Sequence, residues 1–265
     1  MKWNKTDIDF LIALIQTAGR ELVRIRQQGY QVTGKSDQSP VTTADLAADH
    51  ILLAGLAARF PKIPIVSEER ITDTTVSSHC YFLIDPLDGT REFIDGFPHF
   101  TVNIGYIFNG EPILGLVYAP ATEELYLGWF GFGSFRIYCN GLWVRLTPDK
   151  YLSKDCLRIM ISRSHHHPMI SQWITKLSQR GVSAEWISMG SSLKICHVAA
   201  GYADAVLRPG PASEWDTAAA HAVLRSMGMA IFNPITFQEM VYGNSQWIIP
   251  GYIACSPDKL SYFSK

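Results

Sequence analysis

Asp85-Pro86-Leu87-Asp88-Gly89-Thr90 sets two carboxylates three residues apart, directly after the unbroken apolar run Tyr81-Phe82-Leu83-Ile84. Such a run reads as a strand buried on both faces. The spacing predicts a strand that stops abruptly at Asp85. Pro86 stiffens the turn, and Gly89 lets the backbone approach a ligand closely. Two carboxylates there repel each other unless a cation neutralises them. Hard oxygen donors of this kind suit Mg²⁺, and the N–H groups of the loop can hold an anion. A structural Asx turn with one capping Asp is the other reading of the same six residues. Further acids stand at other predicted element ends. Glu68 and Glu69 follow a short apolar run at 63–66, Asp45 closes Thr42-Thr43-Ala44-Asp45, and Asp216 follows Trp215. Each alone also reads as a solvated charge or a cap, Asp216 as the N-cap of the next helix.

The elements around these residues follow from periodicity. Ile8, Leu11, Ile12, Ile15, Leu22 and Val23 recur at helical spacing, with Thr6 as cap and Gly29 as stop. After a polar loop at 34–40, Thr43 caps a second helix carrying Leu46, Leu53, Leu56 and Phe60, which ends before Pro61. Asn109-Gly110 and Asn140-Gly141 each separate β-rich runs, the signal of type I′ hairpins. An antiparallel sheet across 100–147 is expected. After Asp149 short strands, such as 157–161, alternate with helices. Gly190-Ser191-Ser192 precedes a helical face of Leu193, Cys196, His197 and Ala200, and Asp216 opens a helix at 217–227 with Gly228 as its stop. No internal repeat, low-complexity tract or Pro/Gly/Ser-rich linker is present.

The chain has 265 residues, 47% hydrophobic and 18% charged, enough for one large or two modest domains with a real core. The formal net charge of -1 disfavours a surface for nucleic-acid polymers. No apolar run approaches the roughly 20 residues of a membrane span, and acidic residues interrupt the N-terminal segment, against a secretory signal. Cys80, Cys139, Cys156, Cys196 and Cys255 are scattered without a CxxC pair, which suits reduced thiols in the cytoplasm.

Thr43-Ala44-Asp45, Ser67-Glu68-Glu69, the Asp85-to-Thr90 segment and Trp215-Asp216-Thr217-Ala218-Ala219 occur in the order seen in the inositol monophosphatase-like phosphatases, Mg²⁺-dependent and lithium-sensitive enzymes. DPLDGTREF, TVNIGYIFNGEPILGLVYAP, SRSH, GSSLK and GPASEWDTAA resemble one branch, the bacterial 3′(2′),5′-bisphosphate nucleotidases. The resemblance runs from about Lys35 to Ala254. Departures are Arg91 where that branch usually has Lys, Ala220 where it has Gly, and a loosely matching Ser245–Tyr252 ending.

Carried over residue by residue, the resemblance implies that Glu68, Asp85 and the Leu87 carbonyl hold a first Mg²⁺. Asp85 bridges to a second ion completed by Asp88 and Asp216, and a third, weaker ion lies near Glu68. Asp45 and Thr90 act on the attacking water, with Glu68 also counted as catalytic. The scissile phosphate rests on the Gly89 and Thr90 N–H groups. Ser191, Lys194, Arg208 and His165 take the rest of a nucleotide bisphosphate, and Glu68, Leu87, Asp88 and Asp216 also touch substrate. A surface lysine is the alternative for Lys194, and the His165-His166-His167 tract is not expected to bind metal.

The implied fold is a layered α-β-α-β-α sandwich of the sugar-phosphatase type. Residues 1–150 form an α+β part carrying most metal ligands, and 151–265 an α/β part completing the site. The implied activity converts adenosine 3′,5′-bisphosphate, a by-product of sulfate assimilation, to AMP and phosphate. The same fold acting on inositol or sugar phosphates is the second reading. A catalytically silent phosphate-binding protein is the third, although every metal carboxylate it would lack is present. A cytoplasmic enzyme is expected, with a homodimer and loose association with the inner membrane left open.

Overall fold

Alternation along the strands sets the architecture. In the computed structural model, which describes residues 3–34, 40–70, 78–147, 156–163 and 168–264, Phe82 and Ile84 face one way from their strand and Tyr81 and Leu83 the other, and all four are buried. Successive side chains in a strand point to opposite faces, so both faces of this sheet need a cover of helices.

The N-terminal half supplies α1 (Lys5–Gln28), β1 (Val32–Gly34), β2 (Pro40–Thr42), α2 (Thr43–Arg59) and β3 (Ile65–Ser67), then a 3₁₀ turn, Glu68–Arg70. Next come β4 (Cys80–Asp88), α3 (Thr90–Ile94), β5 (Thr101–Phe108), β6 (Glu111–Ala119), β7 (Glu124–Trp129), β8 (Gly133–Ile137) and β9 (Trp143–Arg145). Strands β3 to β9 form a seven-stranded sheet in sequence order. Only its β3–β4 pair is parallel.

The C-terminal half supplies β10 (Leu157–Ser162), α4 (Pro168–Gln179), β11 (Ala184–Met189), α5 (Leu193–Ala199), β12 (Ala205–Arg208) and β13 (Ala212–Ser213). A 3₁₀ turn, Glu214–Asp216, leads into α6 (Ala218–Arg225), β14 (Ala230–Phe232), β15 (Ile248–Ile249), β16 (Tyr252–Cys255) and α7 (Pro257–Ser264). A five-stranded sheet has the order β11-β10-β12-β16-β14, with β11, β10 and β12 parallel.

Three cores stack these pieces into five layers. Helices α1 and α2 cover one face of the large sheet through Ile8, Leu22, Leu52 and Leu56. Between the sheets lie α5 and α6, with Leu193, Ile195, Ala219 and Val223 packed against Leu83 on one side and Val206 on the other. The outer face of the small sheet is closed by α4 and α7 through Trp173, Leu177 and Phe263. This is the α-β-α-β-α sandwich expected from the resemblance. Helix α6 sits unusually close to the large sheet, along a row of glycines paired across three strands, Gly105 to Gly115 to Gly128. A Cβ on Gly115 would lie 2.0 Å from the Ala219 carbonyl oxygen, and one on Gly128 2.3 Å from the Val223 backbone. The glycine row is the trough that receives α6 and so fixes the height of Asp216, just before it.

Several local expectations are corrected. The cap of α1 is Asn4, whose Oδ1 accepts from the Asp7 N–H at 3.0 Å, and Thr6 lies inside the first turn. The cap of α2 is Thr42, which holds the extended backbone (φ -117°, ψ 165°) that a cap requires, with Asp45 closing the box. Leu46 is 53% exposed, and the buried stripe of α2 is Ala44, Ala48, Leu52 and Leu56. Asn109 and Gly110 both have positive φ, as a type I′ turn needs. At Asn140-Gly141 only Gly141 does, and Gly141 N–H donates to the Tyr138 carbonyl. That is a type I turn followed by a left-handed glycine, a three-residue hairpin loop.

Candidate active site

Register brings the first two acids together. In the parallel β3–β4 pair, Ser67 stands beside Ile84, so the next residues, Glu68 and Asp85, emerge side by side. Strand β4 does not stop at Asp85. It runs on to Asp88 through a break in register, pairing Asp85 with Asn103 and Asp88 with Thr101 on β5. The expected stop at Asp85 is corrected: Pro86 sits in the irregular stretch between the Asp85 and Asp88 pairs instead of in a turn beyond the strand. A proline at a bulge costs the ladder nothing. Asp85 is 1% exposed, and its Oδ1 accepts from the Leu87 N–H at 3.0 Å.

Gly89 then reverses the chain at φ 89°, ψ 42°, and α3 starts at Thr90. A Cβ on Gly89 would meet the His99 carbonyl at 3.1 Å and Ser191 at 3.4 Å, so glycine is required by both conformation and space. Thr90 Oγ1 lies 3.2 Å from Asp45 Oδ1 and 3.1 Å from the Leu87 carbonyl oxygen. Asp45 Oδ2 is fixed by Thr42 N–H at 2.8 Å and Thr42 Oγ1 at 2.6 Å. The capping box of α2 thus orients Asp45 toward Thr90.

The other wall comes from the carboxyl ends of parallel strands, where open α/β sheets place their ligands. Ser191 follows β11, and Arg208 ends β12. Glu68, Asp88, Gly89, Thr90, Ser191, Lys194, Arg208 and Asp216 line one cleft. Asp216 is not the cap of α6. It is the third residue of its 3₁₀ turn, where its Oδ2 accepts from the Ser213 N–H at 3.2 Å and lies 3.9 Å from Arg208 Nη2. Lys194 is 2% exposed, so the surface-lysine reading is overturned, and its Nζ donates to the Ser191 carbonyl at 2.6 Å. The N–H at the start of α5 does not wait for an anion: Ser192 N–H donates to Asp88 Oδ2. His165 lies outside the described residues, as does the 150/151 boundary.

Electrostatics tie the acids into one group. Burial first, then the charges of Glu68, Asp88 and Asp216, hold Asp85 well above the usual carboxylate range, and Asp85 also hydrogen bonds Glu68. Burial and Asp216 push Asp88 up to about 6, against the opposing pull of Lys194, the Ser192 N–H and Arg208. Burial lowers Lys194 to about 8, although Asp88 and Asp216 favour its charge. Among the described residues no three acids stand ready at metal-ligating distance from one another. They are instead mutually repelling oxygen donors around one space, a donor set that fits a hard divalent cation.

Residues that the sequence reading missed support this group. Asn103 and Thr101 on β5 lie 3.5 and 3.4 Å from Asp88 Oδ2, and the Ser192 hydroxyl is 2.8 Å from Asn103 Oδ1. Their signal was available only as register: both face Asp85 and Asp88 across the sheet. Glu92, buried on α3, packs where a Cβ on Gly190 would lie, 2.5 Å from its Cγ.

A five-layer sandwich with an acid- and cation-lined cleft between its two sheets defines the sugar-phosphatase class of fold. The chain belongs to the inositol monophosphatase family, whose model matches residues 3–254. It is 38% identical over 225 residues to the 3′(2′),5′-bisphosphate nucleotidase CysQ of Escherichia coli (strain K12), covering 83% of this chain and 88% of that one. It is 41% identical over 196 residues to the enzyme of the same name from Salmonella typhimurium, covering 73% and 76%. The crystal structure of CysQ from Bacteroides thetaiotaomicron superposes with a TM-score of 0.83 at 31% identity, covering 96% of this chain and 98% of that one. Among the described residues no helix is long and apolar enough to cross a membrane.

Proposed function

We propose that the chain is a Mg²⁺-dependent 3′(2′),5′-bisphosphate nucleotidase that converts adenosine 3′,5′-bisphosphate to AMP and phosphate. One observation carries the reading: a single cleft sets Glu68, Asp88 and Asp216 against two cations, Lys194 and Arg208. Acids suit a metal-held scissile phosphate, and cations suit a second phosphate. The names of the relatives favour the same substrate.

Glu68, Asp85, the Leu87 carbonyl, Asp88 and Asp216 would hold two or three Mg²⁺ ions. Bound there, Mg²⁺ would acidify water and neutralise charge on the phosphate. Thr90 and Asp45 act on the nucleophile. The Thr90 hydroxyl, between Asp45 Oδ1 and the Leu87 carbonyl, orients the water, and Asp45 draws off its proton. Water adds to phosphorus, the P–O3′ bond breaks, and the ribose oxygen leaves and takes its proton from solvent water. Gly89 and Thr90 N–H groups face the developing charge on the phosphate. Residues 1–150 supply the nucleophile side and residues 151–265 the side that grips the rest of the nucleotide.

The test is phosphate release from adenosine 3′,5′-bisphosphate, inositol 1-phosphate and fructose 1,6-bisphosphate, compared at equal enzyme and Mg²⁺. The expected order puts the nucleotide first by a wide margin. Preference for inositol 1-phosphate would move the chain to the monophosphatase reading.

A further inference from the structure

We propose that Asp49 is a positioning residue for Glu68, setting the metal affinity of the site without touching the metal; the inference rests on reading Glu68 as a metal ligand. Asp49 lies one helical turn beyond Asp45 on α2, so both carboxylates leave the same face. It is 2% exposed. Its Oδ1 accepts from the Ser67 hydroxyl at 2.5 Å, and its Oδ2 accepts from Arg70 Nε at 2.7 Å.

Ser67 and Arg70 bracket Glu68. Ser67 is the last residue of β3, and Arg70 the last of the 3₁₀ turn that begins at Glu68. One carboxylate therefore grips both ends of the turn that presents the ligand. The Ser67 oxygen, its proton given to Asp49, also accepts from the Glu69 N–H at 3.3 Å. A three-residue 3₁₀ turn has little stability of its own, and the strand before it is only three residues long. The β3–β4 register sets Glu68 beside Asp85, and the grip of Asp49 on both ends of the turn keeps Glu68 there.

The consequence reaches across the site. Helix α2 carries Asp45 in its first turn, closing the capping box, and Asp49 one turn on. A rigid helix thus fixes the offset between the Asp45–Thr90 pair and the Glu68 turn. A buried carboxylate with two donors is also costly to leave half-paired, which explains why Arg70, with 59% of its side chain exposed, stays folded back on Asp49.

The experiment measures Mn²⁺ binding to the full chain without substrate, by electron paramagnetic resonance, alongside Mg²⁺ titrations of activity. Partners one shell out from a metal change its affinity by about 10- to 100-fold. Asp49→Ala is expected to weaken binding by at least about tenfold. Asp49→Asn recovers part of this, since its amide oxygen still accepts from Ser67. Arg70→Met shifts affinity the same way by a smaller factor, and kcat at saturating Mg²⁺ falls less than metal affinity in all three. A lower Tm with unchanged Mn²⁺ affinity would make Asp49 a fold residue and overturn the inference. If Asp49→Ala does not fold, Arg70→Met and Ser67→Ala decide, and unchanged affinity in both overturns it. Absence of Mn²⁺ binding in the unaltered chain would instead overturn the metal reading on which the inference rests.

Discussion

Thr90 and Asp45, 45 residues apart in the chain, meet at 3.2 Å between Oγ1 and Oδ1. The hydroxyl has one proton and two acceptors in reach, Asp45 and the Leu87 carbonyl. It can therefore receive a hydrogen bond from water while staying aligned. Asp45→Asn and Thr90→Ala should lower kcat by roughly 10²–10⁴, and Thr90→Ser should retain most of it. Mn²⁺ affinity should change far less than kcat. A variant that loses metal as completely as it loses turnover would move its residue from the nucleophile to the metal centre.

Burial, with the charges of Glu68, Asp88 and Asp216 added, disfavours Asp85 as an anion. Activity should vanish in EDTA and return with Mg²⁺. Asp85→Asn should lower kcat/KM by orders of magnitude, and Mg²⁺ should raise the Tm of the parent protein but not that of the variant. Turnover undiminished in chelator would remove the metal mechanism.

A second polar cluster predicts a pH effect away from the cleft. Burial pushes Glu124 up, but hydrogen bonds from His197 and Tyr126 and the charge of Arg136 outweigh it and hold the carboxyl at about 2 instead of 4.5. Its folded pKa is depressed. The group therefore adds stability fully above about pH 4.5 and loses it as pH falls through about 2. Glu124→Gln should be less stable than the parent in urea at pH 6, with the gap narrowing steadily below pH 4.5. A gap that stays constant down to pH 3 would show that packing, not charge, is what the substitution removes.

Much of this site was legible because its chemistry sits at element ends, and element ends leave marks in a sequence. Asp85 follows an apolar run, Asp88 ends β4, Glu68 follows β3's apolar run after Ser67, and Asp216 stands two residues ahead of α6. Thr42 to Asp45 carries a capping-box signal of threonine with an acid three residues on, but two threonines stand side by side, and only the extended backbone at Thr42 tells which of them is the cap. Pro86 misled in the other direction: its bulge lets β4 continue, which depends on β5 lying alongside. Asn103, Thr101, Ser192 and Asp49 left no local mark. Their roles come from cross-strand register and from which helix face packs inward, and both are decided by the assembled layers. The charge of Lys194 at a helix start is visible in the sequence, but its burial among Asp88, Asp216 and Arg208 is a tertiary fact.

That burial sharpens the last prediction. The resemblance gives Lys194 to the part of the nucleotide beyond the scissile phosphate, on a segment far in sequence from Asp85 and Asp88. In the fold it shares the cleft with both Asp88 and Arg208. Lys194→Met should therefore act on two quantities at once. Loss of a charge-assisted hydrogen bond to the second phosphate is worth about 1.5–3 kcal/mol, or about 10- to 150-fold, so KM for adenosine 3′,5′-bisphosphate should rise by at least about tenfold. Loss of the cation beside Asp88 should also lower turnover of a simple monophosphate ester, but by a smaller factor, because that substrate has no second phosphate to lose. The informative measurement is the ratio of kcat/KM for the two esters in the variant against the parent. A ratio shifted at least about tenfold against the bisphosphate assigns Lys194 to the second phosphate. An unchanged ratio with equal damage to both would leave it as a counter-charge for Asp88 and Asp216, and would pass the selection of substrate to Arg208.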